Sequence, residues 1–216
     1  AIACLLLIAG SAPSTADDGQ GLEEPSTDLV FPLEISHPDL EQPLALTGVG
    51  VRKKLFFKVY ALGLYVDPAA VRDGLSRWAG RSADRLREDD AIYEALRDLP
   101  GHRLVVMRFV RDVGASRMRE AMEDALTESD VPAEDPAGSR FLRLWNEPIS
   151  DGERVALLFG PEGRVAVSRD SRSIGEVRSP AVSRALLTTW LGPDPVSDDI
   201  REGVVARLPE LLPAAD

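Results

Sequence analysis

The chain has 216 residues, of which 44% are hydrophobic and 28% are charged, and its formal net charge is −11. This length predicts one domain, or one domain plus an appendage, with a core of its own, and the apolar content argues against disorder. The acidic balance, with no basic run longer than residues 52–54, argues against binding to nucleic acid. One cysteine and the distant His37 and His102 cannot form a zinc cage, so we expect no metal site and no cofactor.

The N-terminal segment has the pattern of a secretory signal peptide. An apolar stretch at 2–9 is followed by small residues at 10–16, and the stretch is too short for a membrane span. We interpret Cys4 as part of the apolar stretch, not as a lipid anchor, because the most apolar residues follow it. The pattern predicts export to the periplasm. The expected organisation is a signal peptide at 1–16, truncated at its start, a flexible acidic lead-in at 17–28 and one domain at 29–213.

The first half of the chain contains three predicted strands followed by two predicted helices. Residues 55–66 form the strongest predicted strand, apolar on nearly every position, so both of its faces are expected to be covered. Arg52-Lys53-Lys54 is expected at the end of a hairpin. The other predicted elements here are strands at 31–36 and 44–49 and helices at 68–78 and 82–99.

The second half contains an amphipathic helix at 114–126, with one apolar stripe. Serine caps predict helices starting after Ser179 and Ser197. The remaining predicted elements are a strand at 102–110, a short helix at 139–146 and a hairpin of strands 154–159 and 164–169. Strands and helices are grouped, not strictly alternating, which favours an antiparallel α+β domain.

Three separated segments carry a resemblance to a known family. They are TGVGVRKKLFFKVYALGLYV at 47–66, MRFVRDV at 107–113, and SPAVSRALLTTWLG with PVSDDI at 179–200. Over about residues 44–212 the chain resembles the chalcone isomerase superfamily, and the middle segment resembles its bacterial branch. The resemblance implies an α+β open-faced β-sandwich, in which a large antiparallel sheet is covered by a layer of helices with a ligand cleft between them.

The resemblance implies three classes of function. Fatty-acid-binding members hold a carboxylate with an arginine and a tyrosine, which favours an exported protein that binds a fatty acid or similar amphipathic anion. Plant enzymes cyclise a chalcone, so the alternative is an intramolecular lyase acting on a phenolic hydroxy-enone. A further alternative is a non-catalytic module that assists a partner protein, whose identity the sequence does not indicate.

Arg52 matches the cleft arginine of the family. Its planar guanidinium suits a carboxylate or a phenolate. The alternative is a solvated turn residue, because a shift of one residue in register moves a side chain to the other face of a sheet. In an isomerase, Arg52 and Thr189 would be the catalytic residues.

Tyr60 lies near a tyrosine of the fatty-acid-binding branch, and Lys58 would share its face in an unbroken strand. Tyr60 could bind a ligand carboxylate or be an ordinary core tyrosine, and Lys58 could add a cation or extend to water. Thr189 matches a cleft threonine, although its hydroxyl could instead bond to the Ala185 carbonyl. Arg117 and Asp124 stand where plant enzymes have tyrosine and asparagine.

Overall fold

The computed structural model describes residues 20–132, 134–212 and 214. Strands in this part of the chain are β1 (Gly21–Glu24), β2 (Leu29–Pro32), β3 (Glu34–Ile35), β4 (Leu44–Lys54), β5 (Phe57–Val66), β6 (Arg103–Phe109), β7 (Arg154–Phe159), β8 (Arg164–Arg169) and β9 (Arg172–Arg178). The α-helices are α1 (Pro68–Gly74), α2 (Ala83–Arg87), α3 (Asp90–Arg97), α4 (Ala115–Thr127), α5 (Pro136–Leu142), α6 (Pro180–Leu191), α7 (Asp198–Gly203) and α8 (Leu208–Leu211).

Strands β3 to β9 form one seven-stranded sheet in chain order, and every neighbouring pair is antiparallel. Strands β1 and β2 form a separate two-stranded hairpin. The connections β4–β5, β7–β8 and β8–β9 are short, whereas α1 to α3 lie between β5 and β6, and α4 and α5 lie between β6 and β7. The predicted α+β class with a large antiparallel sheet and a layer of helices is confirmed.

Each face of the sheet carries its own apolar cluster. On β5, Tyr60, Leu62 and Leu64 belong to the larger cluster under the helices. The alternate residues Ala61 and Tyr65 belong to a smaller cluster that the β1–β2 hairpin covers with Phe31. Both faces of this strand are therefore buried over 60–66, but residues 55–58, for which the apolar sequence also predicts covered faces, are exposed.

Several helices begin where the sequence predicts. The Ser179 and Ser197 side chains accept hydrogen bonds from the backbone N–H groups of Val182 and Ile200, at the starts of α6 and α7. The predicted apolar stripe of α4 is also confirmed, since Met118 and Met122 are buried. These local signals depend on neighbouring residues only, so they are readable without the fold.

Several segments differ from the sequence expectation. Residues 21–24, within the segment 17–28 that we expected to be flexible, form β1 and pair with β2. The single helix expected at 82–99 is two helices, because Asp89 adopts an extended conformation and caps α3. Strand β9 was not predicted, since its mostly polar, exposed residues lie at the edge of the sheet. The expected signal peptide at 1–16 lies outside the described residues.

The hairpin between β4 and β5 turns later than expected. Strand β4 continues to Lys54, which pairs with Phe57, so the two turn residues are Leu55 and Phe56. Residues 52–54 are strand residues for this reason and do not form the turn. None of the helices in the described ranges is long and apolar enough to cross a bilayer.

Candidate functional site

Arg52 and Tyr60 lie directly opposite each other on β4 and β5. Directly paired residues in an antiparallel sheet point to the same face. Tyr60 belongs to the cluster under the helices, so the Arg52 side chain also leaves its strand on the helix-covered face. This is the face on which the family resemblance places a ligand.

A β-bulge immediately follows this pair. The register passes from Arg52–Tyr60 to Lys53–Lys58, which leaves Val59 as an extra residue on β5. Val59 packs against the helix-side cluster, whereas the Lys58 amine donates a hydrogen bond to the Ser26 carbonyl in the β1–β2 turn. Lys58 therefore does not share the face of Tyr60, contrary to the expectation for an unbroken strand.

Tyr60 is buried between the sheet and α6. The Trp190 indole N–H donates a hydrogen bond of 3.0 Å to the Tyr60 hydroxyl, and the Phe109 ring centroid lies 5.3 Å from that of Tyr60. Burial raises the pKa of the Tyr60 phenol, although the Arg52 charge and the Trp190 hydrogen bond oppose this. The phenol is therefore neutral near pH 7 and keeps its proton for donation.

Arg52 is half-buried beside this phenol. Its guanidinium carbon lies 5.9 Å from the centroid of the Tyr60 ring. Across the described ranges, no Asp or Glu forms a salt bridge with Arg52. The guanidinium thus keeps donors for a carboxylate or phenolate, next to a neutral phenol that can add a further hydrogen bond.

The start of α7 contacts β4 at Val51, the residue next to Arg52. The Ser197 hydroxyl donates a hydrogen bond of 2.8 Å to the carbonyl of Val51. A side chain at Gly50 would overlap the backbone of Asp199 and Ile200, so only glycine allows α7 to approach this closely. The sequence pattern around Ser197 indicates a helix cap but not this contact with β4.

Thr189 is partly buried, and its hydroxyl donates a hydrogen bond of 3.3 Å to the Ala185 carbonyl, one helical turn earlier. This is the local alternative to a ligand contact. Arg117 and Asp124 are exposed on α4, so neither lines the space between helices and sheet. The structure brings Arg52 and Tyr60 together and adds Trp190, whose buried indole needed an acceptor.

Side chains fill the space expected to form an apolar cleft. Tyr60, Phe109 and Trp190 are each at most 3% exposed. Three surface cavities, of about 330, 460 and 520 Å³, have linings that include neither Arg52 nor Tyr60 nor Thr189. All three methionines, Met107, Met118 and Met122, are buried in the helix-side cluster, and methionine repacks more readily than branched side chains.

The described residues contain no group of three or more His, Cys, Asp or Glu side chains placed to hold a metal ion. The polar side chains that meet at the candidate site are one guanidinium, one phenol and one indole. Such a set binds and orients an anion through hydrogen bonds.

Comparison with known proteins identifies the family. The chalcone isomerase-like family model matches residues 33–76 and 83–205. The chain belongs to this family. A crystal structure of a fatty-acid binding protein from Arabidopsis thaliana has the same fold, with a TM-score of 0.72, 22% identity, and coverage of 89% of this chain and 99% of that one.

Two kinds of relative match in sequence. Chalcone–flavanone isomerase 3 of Lotus japonicus is 25% identical over 201 residues, covering 85% of this chain and 89% of the enzyme. Fatty-acid-binding protein 2 of Arabidopsis thaliana is 29% identical over 197 residues, covering 84% of this chain but 49% of that protein. The chain therefore spans only about half of this second relative.

Proposed function

We propose that the protein binds a fatty acid or a similar amphipathic carboxylate, with the carboxylate at Arg52 and Tyr60. The observation that carries this proposal is the pairing of Arg52 with Tyr60 on the helix-covered face, without an acidic partner for Arg52 in the described part of the chain. A guanidinium can donate two parallel hydrogen bonds to a carboxylate, and the neutral phenol can donate a third.

The acyl chain would enter the helix-side cluster beyond Tyr60. Entry requires Trp190 to leave the Tyr60 hydroxyl, and a hydrogen bond of this kind is worth about 1 kcal/mol net. Each buried methylene contributes about 0.8 kcal/mol, so a few methylenes offset that loss. Met118 and Met122 on α4 provide side chains that can adjust their rotamers around such a chain.

The relatives support the same ligand class. The Arabidopsis relative and the matching crystal structure are both fatty-acid-binding proteins by name. Arg52 lies within the segment that the family model matches. A carboxylate ligand accounts for a cation placed at the edge of an apolar layer, where an unpaired charge would otherwise gain nothing from partial burial.

Native mass spectrometry and thermal unfolding of the purified chain with added palmitate test the proposal. We expect a one-to-one complex and a higher midpoint of unfolding, because a ligand that binds only the folded state stabilises it. Arg52→Gln should weaken binding by about tenfold or more, since it removes a charged hydrogen-bond donor. Arg77→Gln, which removes an exposed arginine stacked on Trp78, is the matched control. Absence of a complex, or equal binding by Arg52→Gln, contradicts the proposal.

An intramolecular lyase is the second candidate, favoured by the match to the Lotus isomerase over most of both chains. Arg52 could stabilise the phenolate of a hydroxy-enone whose own oxygen is the nucleophile. The Thr189 hydroxyl, which is bonded to its own helix, argues against this activity. A chalcone cyclisation assay decides: a rate equal to the uncatalysed reaction, unchanged in Arg52→Ala, eliminates the enzyme.

The closed packing around Tyr60 favours a third candidate, a ligand-free module that assists a partner protein. The same mass spectrometry distinguishes it, because such a module remains empty with every acid that is added. Co-purification from native membranes would then identify the partner.

We also infer that the protein belongs to the bacterial branch of the family and is exported. The apolar segment 2–9 and the small residues 10–16 support export. Fractionation of the cells that naturally produce the protein, with mass spectrometry of its N-terminus, tests this: we expect a periplasmic protein that starts at Asp17.

A further inference from the structure

The tip of the β4–β5 hairpin exposes three consecutive large apolar side chains. Leu55 is 84% exposed, Phe56 97% and Phe57 58%. Among the described residues, the other exposed large apolar side chain is Val30. Exposed apolar residues that occur singly are ordinary, but a contiguous group of them indicates an interaction surface.

The tip extends beyond the rest of the sheet. Pairing of β5 with β6 begins at Tyr60, and β3 pairs with β4 only at Leu44 and Ala45, near its other end. Residues 53–58, which we call the hairpin tip, therefore pair only with each other. The end of a hairpin that projects in this way can contact another surface without a change in the rest of the sheet.

The turn contains a residue type that is unusual at its position in hairpin turns. Leu55 has a φ of 56°, in the left-handed region where glycine and asparagine are favoured. A bulky leucine there is strained, and such strain is concentrated at functional sites. The turn keeps an apolar side chain at its end although a less strained residue type would form the same turn.

Cations surround the apolar residues of the tip. The three lysines of the whole chain, Lys53, Lys54 and Lys58, all lie within it, although the chain has a net charge of −11. The Arg111 guanidinium stacks on Phe57, with 4.7 Å from its carbon to the ring centroid. Lys53 also forms a salt bridge of 2.6 Å with Asp199, so part of the charge is neutralised locally.

We propose that the hairpin tip docks the protein onto an anionic lipid bilayer. Leu55 and Phe56 insert at the boundary between headgroups and acyl chains, and Lys54 contacts the acidic headgroups. The Lys53 and Lys58 amines, which bond to Asp199 and to the Ser26 carbonyl, add positive charge nearby. The acidic remainder of the described surface is repelled, so the tip faces the bilayer. The inference is independent of ligand binding at Arg52, although docking would bring that residue close to a source of acyl chains.

Flotation of the purified chain with vesicles tests the proposal. We expect binding to vesicles of equal parts phosphatidylcholine and phosphatidylglycerol, weak binding to phosphatidylcholine alone, and weaker binding as salt increases. Phe56→Ser should lose affinity by about tenfold or more, because it removes a large inserted side chain. Val30→Ser is the matched control, since it changes an exposed apolar residue outside the tip.

Two further variants test how the charge of the tip and its apolar turn residue affect vesicle binding, separately from any effect on folding. Lys54→Gln should weaken binding to the anionic vesicles by about fivefold and leave binding to phosphatidylcholine unchanged. Leu55→Asn should weaken vesicle binding while keeping or raising the midpoint of thermal unfolding, since asparagine tolerates the positive φ. A loss of binding in Leu55→Asn cannot then be assigned to unfolding.

Three results would overturn the proposal. The first is that the wild-type chain does not bind vesicles, and the second is that Phe56→Ser binds them as well as wild type. The third is that the wild-type chain self-associates and does not bind vesicles, and that Phe56→Ser is a monomer. The last result would assign the tip to contact between protein copies. Palmitate binding by Phe56→Ser in solution is measured separately, so failure of docking is distinguishable from failure of the Arg52 site.

Discussion

Two tyrosines of β5 are buried on opposite faces of the sheet, and their hydroxyl groups have different surroundings. The Tyr60 hydroxyl accepts the Trp190 indole hydrogen bond, whereas the Tyr65 hydroxyl has no hydrogen-bond partner within the described ranges. Burial raises the pKa of both phenols. A buried donor without an acceptor costs free energy, so the two hydroxyl groups contribute to stability with opposite signs.

Phenylalanine at each position tests this difference. Tyr60→Phe should lower the free energy of unfolding by about 1–3 kcal/mol, because the buried Trp190 N–H loses its acceptor. Tyr65→Phe should be neutral or stabilising, because it removes a hydroxyl that gains no bond. Urea unfolding measures both, and equal destabilisation by the two variants contradicts the interpretation.

At the scale of elements, the contact between α7 and β4 positions Arg52. The backbones of Gly50 and Gly203 allow the two elements to approach, and Ser197 bonds to the carbonyl next to Arg52. Residue type at these glycines is therefore set by a contact between segments about 150 residues apart in sequence, which local propensity does not indicate.

Adding a side chain to each of two glycines should have opposite effects. Gly50→Ala should lower the free energy of unfolding by about 1–3 kcal/mol, because the new methyl overlaps the backbone of α7. Gly114→Ser should raise it by a few tenths of a kcal/mol, because Gly114 is an N-cap without a capping side chain and has open space around it. Urea unfolding measures both; a Gly50→Ala protein as stable as wild type would show that α7 can move away.

At the scale of the whole molecule, arginine–carboxylate pairs link distant parts of an acidic chain. The least exposed is Arg169–Glu153, whose side chains are 12% and 10% exposed. Arg169 also donates a hydrogen bond of 2.6 Å to the Pro148 carbonyl, which ties β8 to the loop before β7. The Arg169 hydrogen bond holds the pKa of Glu153 below its usual value of 4.5.

The lowered pKa of Glu153 predicts sensitivity to acid. A carboxylate with a lower pKa in the folded state contributes stability that is complete above its unfolded value and is lost as the pH falls through the folded value. The free energy of unfolding should therefore decline below pH 4.5, and Asp89 and Asp98, whose pKa values are also lowered, act in the same direction.

Glu153→Gln should lower stability at pH 7 by about 1–3 kcal/mol and weaken the dependence on acid, because Arg169 loses its charged partner. Glu210→Gln removes the exposed partner of Arg207 and should change stability by less than about 1 kcal/mol. Urea unfolding between pH 3 and pH 7 compares them, and parallel pH profiles for wild type and Glu153→Gln would contradict this assignment.

The sequence predicted most elements and some of the site because those signals are local or carried by family motifs. Serine caps mark α6 and α7, and the resemblance identified Arg52 and Tyr60, which the structure places opposite each other. The acidic composition of 17–28 does not predict β1, because pairing with β2 decides the structure of residues 21–24.

The sequence by itself determined the antiparallel α+β fold, since apolar periodicity and turn residues act over a few positions. Only the tertiary structure decided which face Lys58 occupies, because one extra residue at Val59 reverses the side-chain alternation. It also decided that Trp190 contacts Tyr60, since these residues come from distant segments and meet only when α6 packs on the sheet.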